Sequence, residues 1–337
     1  MAPDTNRQIL LHERPAGKLL ESHFSANETA RPKIGEEQVL VRTILLSLDA
    51  ANRAWMQGPT YRQAVKQGDV MHGYAVAEVV ESNSARFQPG AIVAGETGWQ
   101  QYAALDAKRV SALPDYRPLS HLLSVLGIAG KTAYHGVYDI GALQAGETAV
   151  ISAAAGSVGI YAGQLAKLRG ARVVGIAGGS QKCEWLRTEL GFDDTVDYKA
   201  GDLMKALSKA CPNGIDVFFD NVGGPVLEAA LFNMAMYGRV VCCGAVSQYD
   251  TAEMQSPRGI PGLLVVKRIR MEGFIVLDER HDDVKASQDL AKWTANGDIS
   301  VVESVLDGLD AAPSGLIGLL AGENRGKWMV RVGPDPA

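Results

Sequence analysis

The chain has 337 residues, 47% of them hydrophobic and 21% charged, which is typical of a globular protein large enough for two domains with separate cores. A net charge of −5 without a basic run argues against nucleic acid as the main partner, and no apolar run approaches the roughly 20 residues that span a membrane. The first residues, MAPDTNRQILLHERP, contain no signal-peptide core, so we expect a cytoplasmic protein with no membrane partner.

The part of the chain up to about residue 120 is rich in short β-like runs and turn signals. Strands are predicted at 38–46, 76–80 and 91–94, and few long helical patterns separate them. This predicts a mostly β domain. Residues 122–138 then show a helical pattern.

A βαβ unit begins at Thr148. The apolar run 149–151 predicts a buried strand, a small-residue turn follows, a helix ends at Gly170, and 171–177 predicts a second strand. In the turn, Ala154, Gly156 and Gly159 take the three positions of the G-x-G-x-x-G pattern.

Such a turn binds the pyrophosphate of a dinucleotide. Gly156 lets the backbone approach the anion, Gly159 lets the helix pack closely, and free N–H groups at the helix start attract negative charge.

The end of the second strand indicates which dinucleotide is bound. NAD-binding units place an Asp or Glu there to accept hydrogen bonds from the ribose 2′-hydroxyl, whereas this chain has 175–179, GIAGG, followed by Ser180 and Lys182. A carboxylate would repel a 2′-phosphate and an ammonium would attract it. Although a single lysine is more often only a solvated surface residue, the missing acid and the nearby Lys182 together favour NADP.

The alternation of strands and helices continues to the end of the sheet. Helices are predicted at 181–190, 203–210, 226–237 and 284–295, and strands at 195–198, 215–220, 239–245 and 268–277. This predicts an α/β fold with a doubly wound parallel sheet of about six strands. The tail from 299, ending in the apolar run 328–332, has β character and could return to the first domain.

Ligands of doubly wound sheets bind beyond the carboxyl ends of the strands. That rule selects four segments as candidates, 156–159, 178–182, 220–224 and 243–249. Asp220 and Asn221 could also serve only as turn formers before Gly223.

Several motifs in fixed order now point to a family. They are LSLD at 46–49, GDVMHG at 68–73, LGIAGKTAY at 126–134, the glycine turn, DYK at 197–199, DNVGG at 220–224, CGA at 243–245, MEGF at 271–274 and GENRGK at 322–327. With them the chain resembles, over essentially its whole length, the zinc-free medium-chain dehydrogenase/reductases. The similar branch contains prostaglandin reductases, curcumin reductases and plant alkenal double-bond reductases.

The resemblance implies a GroES-like catalytic domain formed by 1–121 and the returning tail 306–337, with the NADP-binding Rossmann domain 122–305 inserted between them. It also implies a homodimer that pairs through the sheet edge near 268–277.

The resemblance further implies that NADPH lies in the cleft between the domains. Gly156, Ser157, Val158 and Gly159 would meet the pyrophosphate. The 2′-phosphate would meet Lys182 and Tyr198 beside Gly178. The ribose and nicotinamide would be lined by Asn221, Cys243, Gly244, Ala245, Val246, Ser247, Phe274, Ile275, Val276 and Asn324.

No metal is expected. The four cysteines, Cys183, Cys211, Cys242 and Cys243, form no C-x-x-C pair and are read as reduced thiols. Zinc-dependent relatives carry G-H-E where this chain has Met71-His72-Gly73-Tyr74, and no cysteine precedes that segment. His72 is therefore read as a packed histidine.

Without a Lewis acid, hydride addition to an activated C=C bond is easier than alcohol oxidation. We therefore expect NADPH-dependent reduction of α,β-unsaturated ketones or aldehydes, small-molecule enones, at the β-carbon. Tyr249 is the preferred donor to the growing enolate because it follows a strand end, although a pocket-wall tyrosine without a chemical role is the alternative. Quinone reduction and non-catalytic NADPH binding are the competing functions.

The substrate loop departs from the family pattern. Many relatives carry D-P-Y-M-R-G where this chain reads Asp49-Ala50-Ala51-Asn52-Arg53-Ala54. With an alanine in place of the loop tyrosine, Asn52, Trp55 and Tyr61 are the expected substrate contacts, and Met56 could also contribute to the pocket wall.

Overall fold

The computed structural model describes residues 4–251, 257–278 and 281–336. Its strands, in chain order, are β1 (Thr5–Leu11), β2 (Phe24–Ala30), β3 (Gln38–Ser47), β4 (Tyr74–Ser82), β5 (Ile92–Glu96), β6 (Tyr102–Asp106), β7 (Ser111–Ala112), β8 (Thr148–Ile151), β9 (Arg172–Ala177), β10 (Asp194–Asp197), β11 (Ile215–Asp220), β12 (Met234–Cys242), β13 (Arg270–Gly273), β14 (Glu303–Asp307) and β15 (Lys327–Arg331).

The helices are α1 (Ala51–Gln57), α2 (Ile128–His135), α3 (Gly159–Leu168), α4 (Ser180–Leu190), α5 (Leu203–Ala210), α6 (Gly224–Asn233), α7 (Ile260–Lys267), α8 (Asp283–Asn296) and α9 (Ala312–Leu320). Within the described segments, no helix is both long and apolar enough to cross a membrane.

One sheet joins the two ends of the chain. Its strand order is β14-β15-β3-β4-β5-β7, with β6 also paired to β3, and β15 runs antiparallel to β3. The predicted return of the tail to the β-rich part is therefore observed. β14 already belongs to this sheet, although it begins before the boundary predicted at 306.

The second sheet is the predicted doubly wound one. Its six strands follow the order β10-β9-β8-β11-β12-β13, and every neighbouring pair is parallel. The first strand of this sheet, β8, lies in its middle. The chain adds β9 and β10 on one side of β8 and then crosses over to add β11 on the other side, so the strand order reverses at a crevice between β8 and β11. The α/β fold class with a GroES-like β part is confirmed.

Apolar layers cover both faces of this parallel sheet. Alternating residues of β9 go to opposite faces, with Val173 packed in one layer and Val174 in the other. Val150, Phe218 and Val240 pack on the same face as Val174. Strands buried on both faces are continuously apolar, which is why the pattern predicted them.

The predicted helix over 226–237 is wrong at its end. α6 ends at Asn233, whose side-chain amide donates to the carbonyl oxygen of Ala229 at 2.8 Å, and β12 begins at once. Tyr237 has a φ of 64°, which a right-handed helix does not accept, so the residues before Arg239 bulge out of register with β11.

Two other predicted elements are shorter than expected. The helix predicted over 122–138 is not continuous. A 3-10 turn at Leu119–Leu122 precedes it, α2 covers its middle, and a π-helical turn at Gly136–Ile140 follows α2. The strand predicted at 268–277 contracts to β13.

Candidate functional site

The residues predicted to bind the cofactor collect at one edge of the parallel sheet. The glycine turn follows β8, Gly178 follows β9, Tyr198 follows β10, Asn221 follows β11, the segment 243–249 follows β12, and Phe274 follows β13. Carboxyl ends of parallel strands share one edge, so the fold brings together residues separated by more than a hundred positions.

The glycine turn is close-packed. Ala153 has a φ of 46°, and a Cβ on Gly159 would lie 2.3 Å from the carbonyl oxygen of Ala153. A Cβ on Gly156 would lie 3.1 Å from the same oxygen. No side chain caps the start of α3, but the N–H groups of Ile160 and Tyr161 donate to the carbonyl oxygens of Gly156 and Val158, both at 3.1 Å, so an anion would meet the glycine turn just before them.

The end of β9 presents backbone and an aromatic ring in place of a carboxylate. A Cβ on Gly178 would lie 2.9 Å from the Tyr198 ring, so the Tyr198 side chain packs directly on the backbone of Gly178. The nearby Asp197 is already engaged, because its Oδ1 accepts from the N–H groups of Gly179 and Lys199 at 2.8 and 2.9 Å. The Asp197 carboxylate therefore stabilises the backbone of the turns after β9 and β10.

Lys182 belongs to a group of cations. Burial lowers its pKa, and the neighbouring charges of Arg325 and Lys199 lower it further. Its Nζ donates to the carbonyl oxygens of Gly322 and Asn324, 2.6 and 2.5 Å away, which ties the tail to the start of α4. Clustered positive charge next to a glycine platform is suited to a phosphate.

A buried polar network supports the turn after β11. Asp220 is 2% exposed, and its Oδ1 accepts from Ser152 Oγ and from the N–H groups of Val222 and Gly223, at 3.0 to 3.1 Å. Burial raises the pKa of this carboxyl. Asn221 Nδ2 donates to the carbonyl oxygen of Ser152 at 2.8 Å, which fixes the amide beside the glycine turn.

In the segment after β12, the side chain of Tyr249 folds back and contacts the backbone of that segment at Ala245. The Tyr249 hydroxyl accepts from the Ala245 N–H at 3.2 Å, which leaves its proton free to be donated elsewhere. Burial raises the pKa of Tyr249, so the hydroxyl stays protonated at neutral pH. Ser247 Oγ donates to the Val222 carbonyl oxygen at 2.6 Å and links this segment to the one after β11.

The thiols beside this segment are poor nucleophiles. Burial raises the pKa of Cys242 to about 11 and that of Cys243 to about 12. Only a minute fraction of either thiol is therefore ionised at neutral pH.

The remaining predicted cofactor contacts come from β13 and the tail. Phe274 is 7% exposed, whereas Ile275 and Val276 are half-buried. Asn324 is buried, and its Nδ2 donates to the Gly326 carbonyl oxygen at 2.9 Å. Gly326 forms a β-bridge with Gly156, so the tail crosses directly over the glycine turn.

The predicted substrate residues lie on and after α1. Asn52 is 1% exposed, and its side chain accepts from the Asp49 N–H and donates to the His72 carbonyl oxygen, at 2.8 and 3.0 Å. Its amide thus positions α1, and substrate contact by Asn52 stays a prediction.

Trp55 and Tyr61 form an aromatic corner with His72. The rings of Tyr61 and His72 each lie 6.4 Å from the Trp55 ring, and Tyr61 is 53% exposed. Trp55 Nε1 and His72 Nδ1 are buried and lack a hydrogen-bond partner among the residues that the structure describes. Burial lowers the pKa of His72, so it is neutral near pH 7.

Helix α1 is fastened to the segment that carries Tyr249. Gln57 Nε2 donates to the Tyr249 carbonyl oxygen at 2.8 Å. Arg53, 1% exposed, donates from Nε to Asp250 Oδ1 at 3.0 Å. The predicted substrate wall and the predicted proton donor are therefore held together.

An ion pair with a buried lysine joins the tail to the substrate loop. Lys327 is 1% exposed, and its Nζ donates to the Leu48 carbonyl oxygen at 3.0 Å and to Asp49. Ser47 donates to the same carboxylate.

Sequence reasoning did not single out Lys199, Arg325, Gln57 or Lys327. Lys199 and Arg325 directly follow the predicted residues Tyr198 and Asn324, so the motifs that contain them were a usable signal. No pattern in the sequence pairs Gln57 with a segment nearly two hundred residues away.

Comparison with known proteins agrees with this architecture. Residues 7–113 match a family described as the N-terminal domain of oxidoreductase, and residues 157–293 match one described as zinc-binding dehydrogenase. The chain is 42% identical over 337 residues to the NADPH-dependent curcumin reductase of Escherichia coli, covering 98% of each. It is 38% identical over 338 residues to the NADP(+)-dependent 2-alkenal reductase of Nicotiana tabacum, covering 97% of this chain and 98% of that one.

Among solved structures, CurA from Vibrio vulnificus in complex with NADPH superimposes with a TM-score of 0.92 at 38% identity. The match covers 98% of this chain and all of that one.

Proposed function

Because the chain belongs to the medium-chain dehydrogenase/reductases, in the branch of the curcumin and alkenal reductases, we propose that it reduces the C=C bond of α,β-unsaturated ketones and aldehydes with NADPH. The observation that carries the cofactor assignment is the cation group Lys182, Lys199 and Arg325 at a β9 end that has no carboxylate of its own.

The residues present fit NADPH. Gly156 and Gly159 allow the close-packed turn before α3 that would receive the pyrophosphate, and Lys182 with the ring of Tyr198 would hold the 2′-phosphate. The half-buried side chains Ile275 and Val276, with Asn221 and the segment 243–247, would enclose the ribose and nicotinamide. When bound, NADPH supplies the hydride that adds to the β-carbon of the enone.

The side chains of this protein stabilise the charge that hydride addition creates. Tyr249 would donate its free O–H to the substrate oxygen while it accepts from the Ala245 N–H. A well-placed donor to a developing oxyanion contributes about 3 to 4 kcal/mol. The α-carbon then takes its proton from water or a hydroxyl, and Trp55 with Tyr61 would wall the pocket.

A catalytic zinc does not fit this site. Among the described residues, no three His, Cys, Asp or Glu side chains place ligand atoms together at His72, and the Asp49 carboxylate nearby is taken up by Lys327 and Ser47. The four cysteines lie in other parts of the fold. The proposed reaction therefore proceeds without a metal.

The test is NADPH oxidation by the purified protein over a series of enones of graded size, with NADH as the cofactor control. We expect saturable, enone-dependent oxidation, a preference for NADPH, and unchanged turnover after chelator treatment. Faster turnover of quinones than of any enone would identify a quinone reductase. Absence of turnover with both classes, despite NADPH binding, would identify a non-catalytic NADPH-binding protein.

We further propose that 1–121 and 306–337 form the catalytic domain around a nucleotide domain at 122–305, and that two copies associate. In support, β13 is the last strand of its sheet, and α7 beside it exposes Val265 and Val266 at 74% and 65%. An edge strand next to exposed apolar side chains is suited to pairing with an identical edge.

A further inference from the structure

A second chemical cluster lies outside the residues assigned to cofactor and substrate. It joins His135 at the end of α2, Asp139 in the π-helical turn, and His281 just before α8. One potential ligand atom from each residue lies within 4.8 Å of the other two.

The π-helical turn positions the first two members. His135 Nδ1 and Asp139 Oδ2 are 2.6 Å apart, and the His135 side chain is 1% exposed. Gly136 has to be glycine, because a Cβ there would lie 2.4 Å from the Phe219 ring. π-Helical turns are rare, and many of those that occur lie at functional sites.

A second carboxylate orients the His135 ring. Nε2 lies 3.1 Å from Asp283 Oδ1, and Asp283 also accepts from Lys131 Nζ at 3.0 Å. If the Nε2–H donates to Asp283, the Nδ1 lone pair faces the carboxylate of Asp139. Two acceptors 2.6 Å apart need a proton between them, and a metal ion would displace that proton while the two ligand atoms move to about 3.3 Å, as tetrahedral bonds of roughly 2 Å require. A carboxylate that orients the far nitrogen of a histidine is the usual support of a metal ligand.

His281 supplies the third ligand. Its ring centroid is 4.5 Å from that of His135, and its Nε2 is buried without a hydrogen-bond partner in the described segments. An imidazole nitrogen with no partner in these segments, beside a histidine–aspartate pair, is available to bind a metal ion.

The cluster is also accessible. His135 and Asp139 line a surface cavity of about 480 Å³, and the Asp139 side chain is 51% exposed. Asp282 and Asp289 line the same cavity together with Arg169 and Lys285, and Asp289 is paired with Lys285 at 2.6 Å. A cation therefore has both an entry path and room for a water ligand.

We infer that His135, Asp139 and His281 form a binding site for a divalent transition-metal ion such as Zn²⁺. Two imidazoles and a carboxylate with an open fourth position suit zinc and its neighbours, whereas Mg²⁺ and Ca²⁺ prefer all-oxygen ligands. The sequence does not predict this site, because its ligands are spread over nearly 150 residues and match no metal motif.

Metal binding here has a structural consequence. The Phe274 ring contacts the His281 ring at 6.0 Å, and Phe274 begins the segment that we assign to the nicotinamide. A metal ion would therefore link Phe274, through its contact with the His281 ring, to His135 on α2.

The experiment is calorimetric titration of the chelator-treated, tag-free, full-length protein with Zn²⁺ alone and with Mg²⁺ alone. We expect one Zn²⁺ per chain, no response to Mg²⁺, and a tetrahedral visible spectrum with Co²⁺ as the probe. His281→Gln and Asp139→Asn should each lower Zn²⁺ affinity by at least about tenfold, and loss of the orienting carboxylate in Asp283→Asn by about 10- to 100-fold.

Two matched variants serve as controls. Asp282→Asn makes the same charge change in the same cavity and keeps an N-cap for α8, and His12→Gln removes an exposed histidine elsewhere. Both should bind Zn²⁺ as the unchanged protein does. Absence of Zn²⁺ binding, or binding that survives both His281→Gln and Asp139→Asn, overturns the assignment. Either result leaves the proposed reductase activity untouched.

Discussion

The ammonium of Lys182 donates to two carbonyl oxygens of the tail and lies near two other cations. We predict that Lys182→Met weakens NADPH binding by about 10- to 100-fold, because a charged hydrogen bond contributes about 1.5 to 3 kcal/mol. NADH kinetics should change little, since NADH lacks the 2′-phosphate. The measurement is KM for each cofactor, with Lys209→Met on the exposed face of α5 as the control. An equal loss for both cofactors would place the 2′-phosphate elsewhere.

Tyr249 combines an accepted hydrogen bond from Ala245 with a free hydroxyl proton. Tyr249→Phe should lower kcat for enone reduction by at least about 100-fold, the typical effect of losing an oxyanion donor. NADPH affinity, measured by fluorescence titration, should be retained. Tyr237→Phe, an exposed tyrosine near the start of β12, is the matched control. Unchanged turnover would make Tyr249 a wall residue, and a fall with Tyr61→Phe instead would move the donor to Tyr61.

At the scale of elements, Glu147 and Arg239 fasten the start of β8 to β12 at the edge opposite the site. Burial acts to raise the pKa of Glu147, but hydrogen bonds from Arg239 and from the Gln144 N–H outweigh it and lower the pKa overall. An acid whose pKa is lowered by folding stabilises the protein above its unfolded pKa and loses that contribution as pH falls through the folded value.

We therefore predict that Glu147→Gln lowers the free energy of unfolding by about 1 to 3 kcal/mol at pH 7. The difference in free energy of unfolding between this variant and the unchanged protein should shrink as pH falls below about 4.5, the ordinary pKa of a glutamate, because the carboxylate of Glu147 becomes protonated. Urea unfolding of both proteins at several pH values measures this free-energy difference. Glu36→Gln, at an exposed turn, should show no such dependence. A difference that is constant with pH would remove the ion pair as its cause.

Elements were predictable where one local pattern decides the structure. The strands at 148–151, 172–177 and 215–220 are buried on both faces, so their apolar runs identified them within a residue or two. α5 was predicted at its observed bounds because an amphipathic pattern follows Asp202, which caps it. The start of β12 was not predictable, because it depends on the left-handed backbone of Tyr237 in a sequence with helical composition.

The residues of the candidate site likewise divide into those that local pattern and topology predict and those that they do not. The glycine turn and the residues after each parallel strand could be placed from topology alone, because parallel strands share one edge. The contact of Gln57 with Tyr249 depends on how the two sheets meet, and the pair of Lys327 with Asp49 depends on the antiparallel register of β15 with β3; no local pattern encodes either. Long-range polar contacts of this kind require the folded chain.

For the whole molecule, the proposed association predicts that Val265→Glu yields monomers. A charge would be buried where the exposed side of α7 now offers apolar surface beside β13. Light scattering after size-exclusion chromatography measures the mass. Val284→Glu is the matched control, since Val284 on α8 is 69% exposed and lies outside the proposed contact. A dimeric Val265→Glu, or a monomeric unchanged protein, would contradict the proposal.

The antiparallel pairing of β15 with β3 has a consequence for biosynthesis. The nucleotide-binding sheet is contiguous and is finished once β13 leaves the ribosome, whereas the other sheet lacks an interior strand until residue 331 has been translated. The strands among the first 112 residues therefore have no β15 to pair with until the last part of the chain has been made. The sheet that the earliest residues begin is thus the last to receive all of its strands.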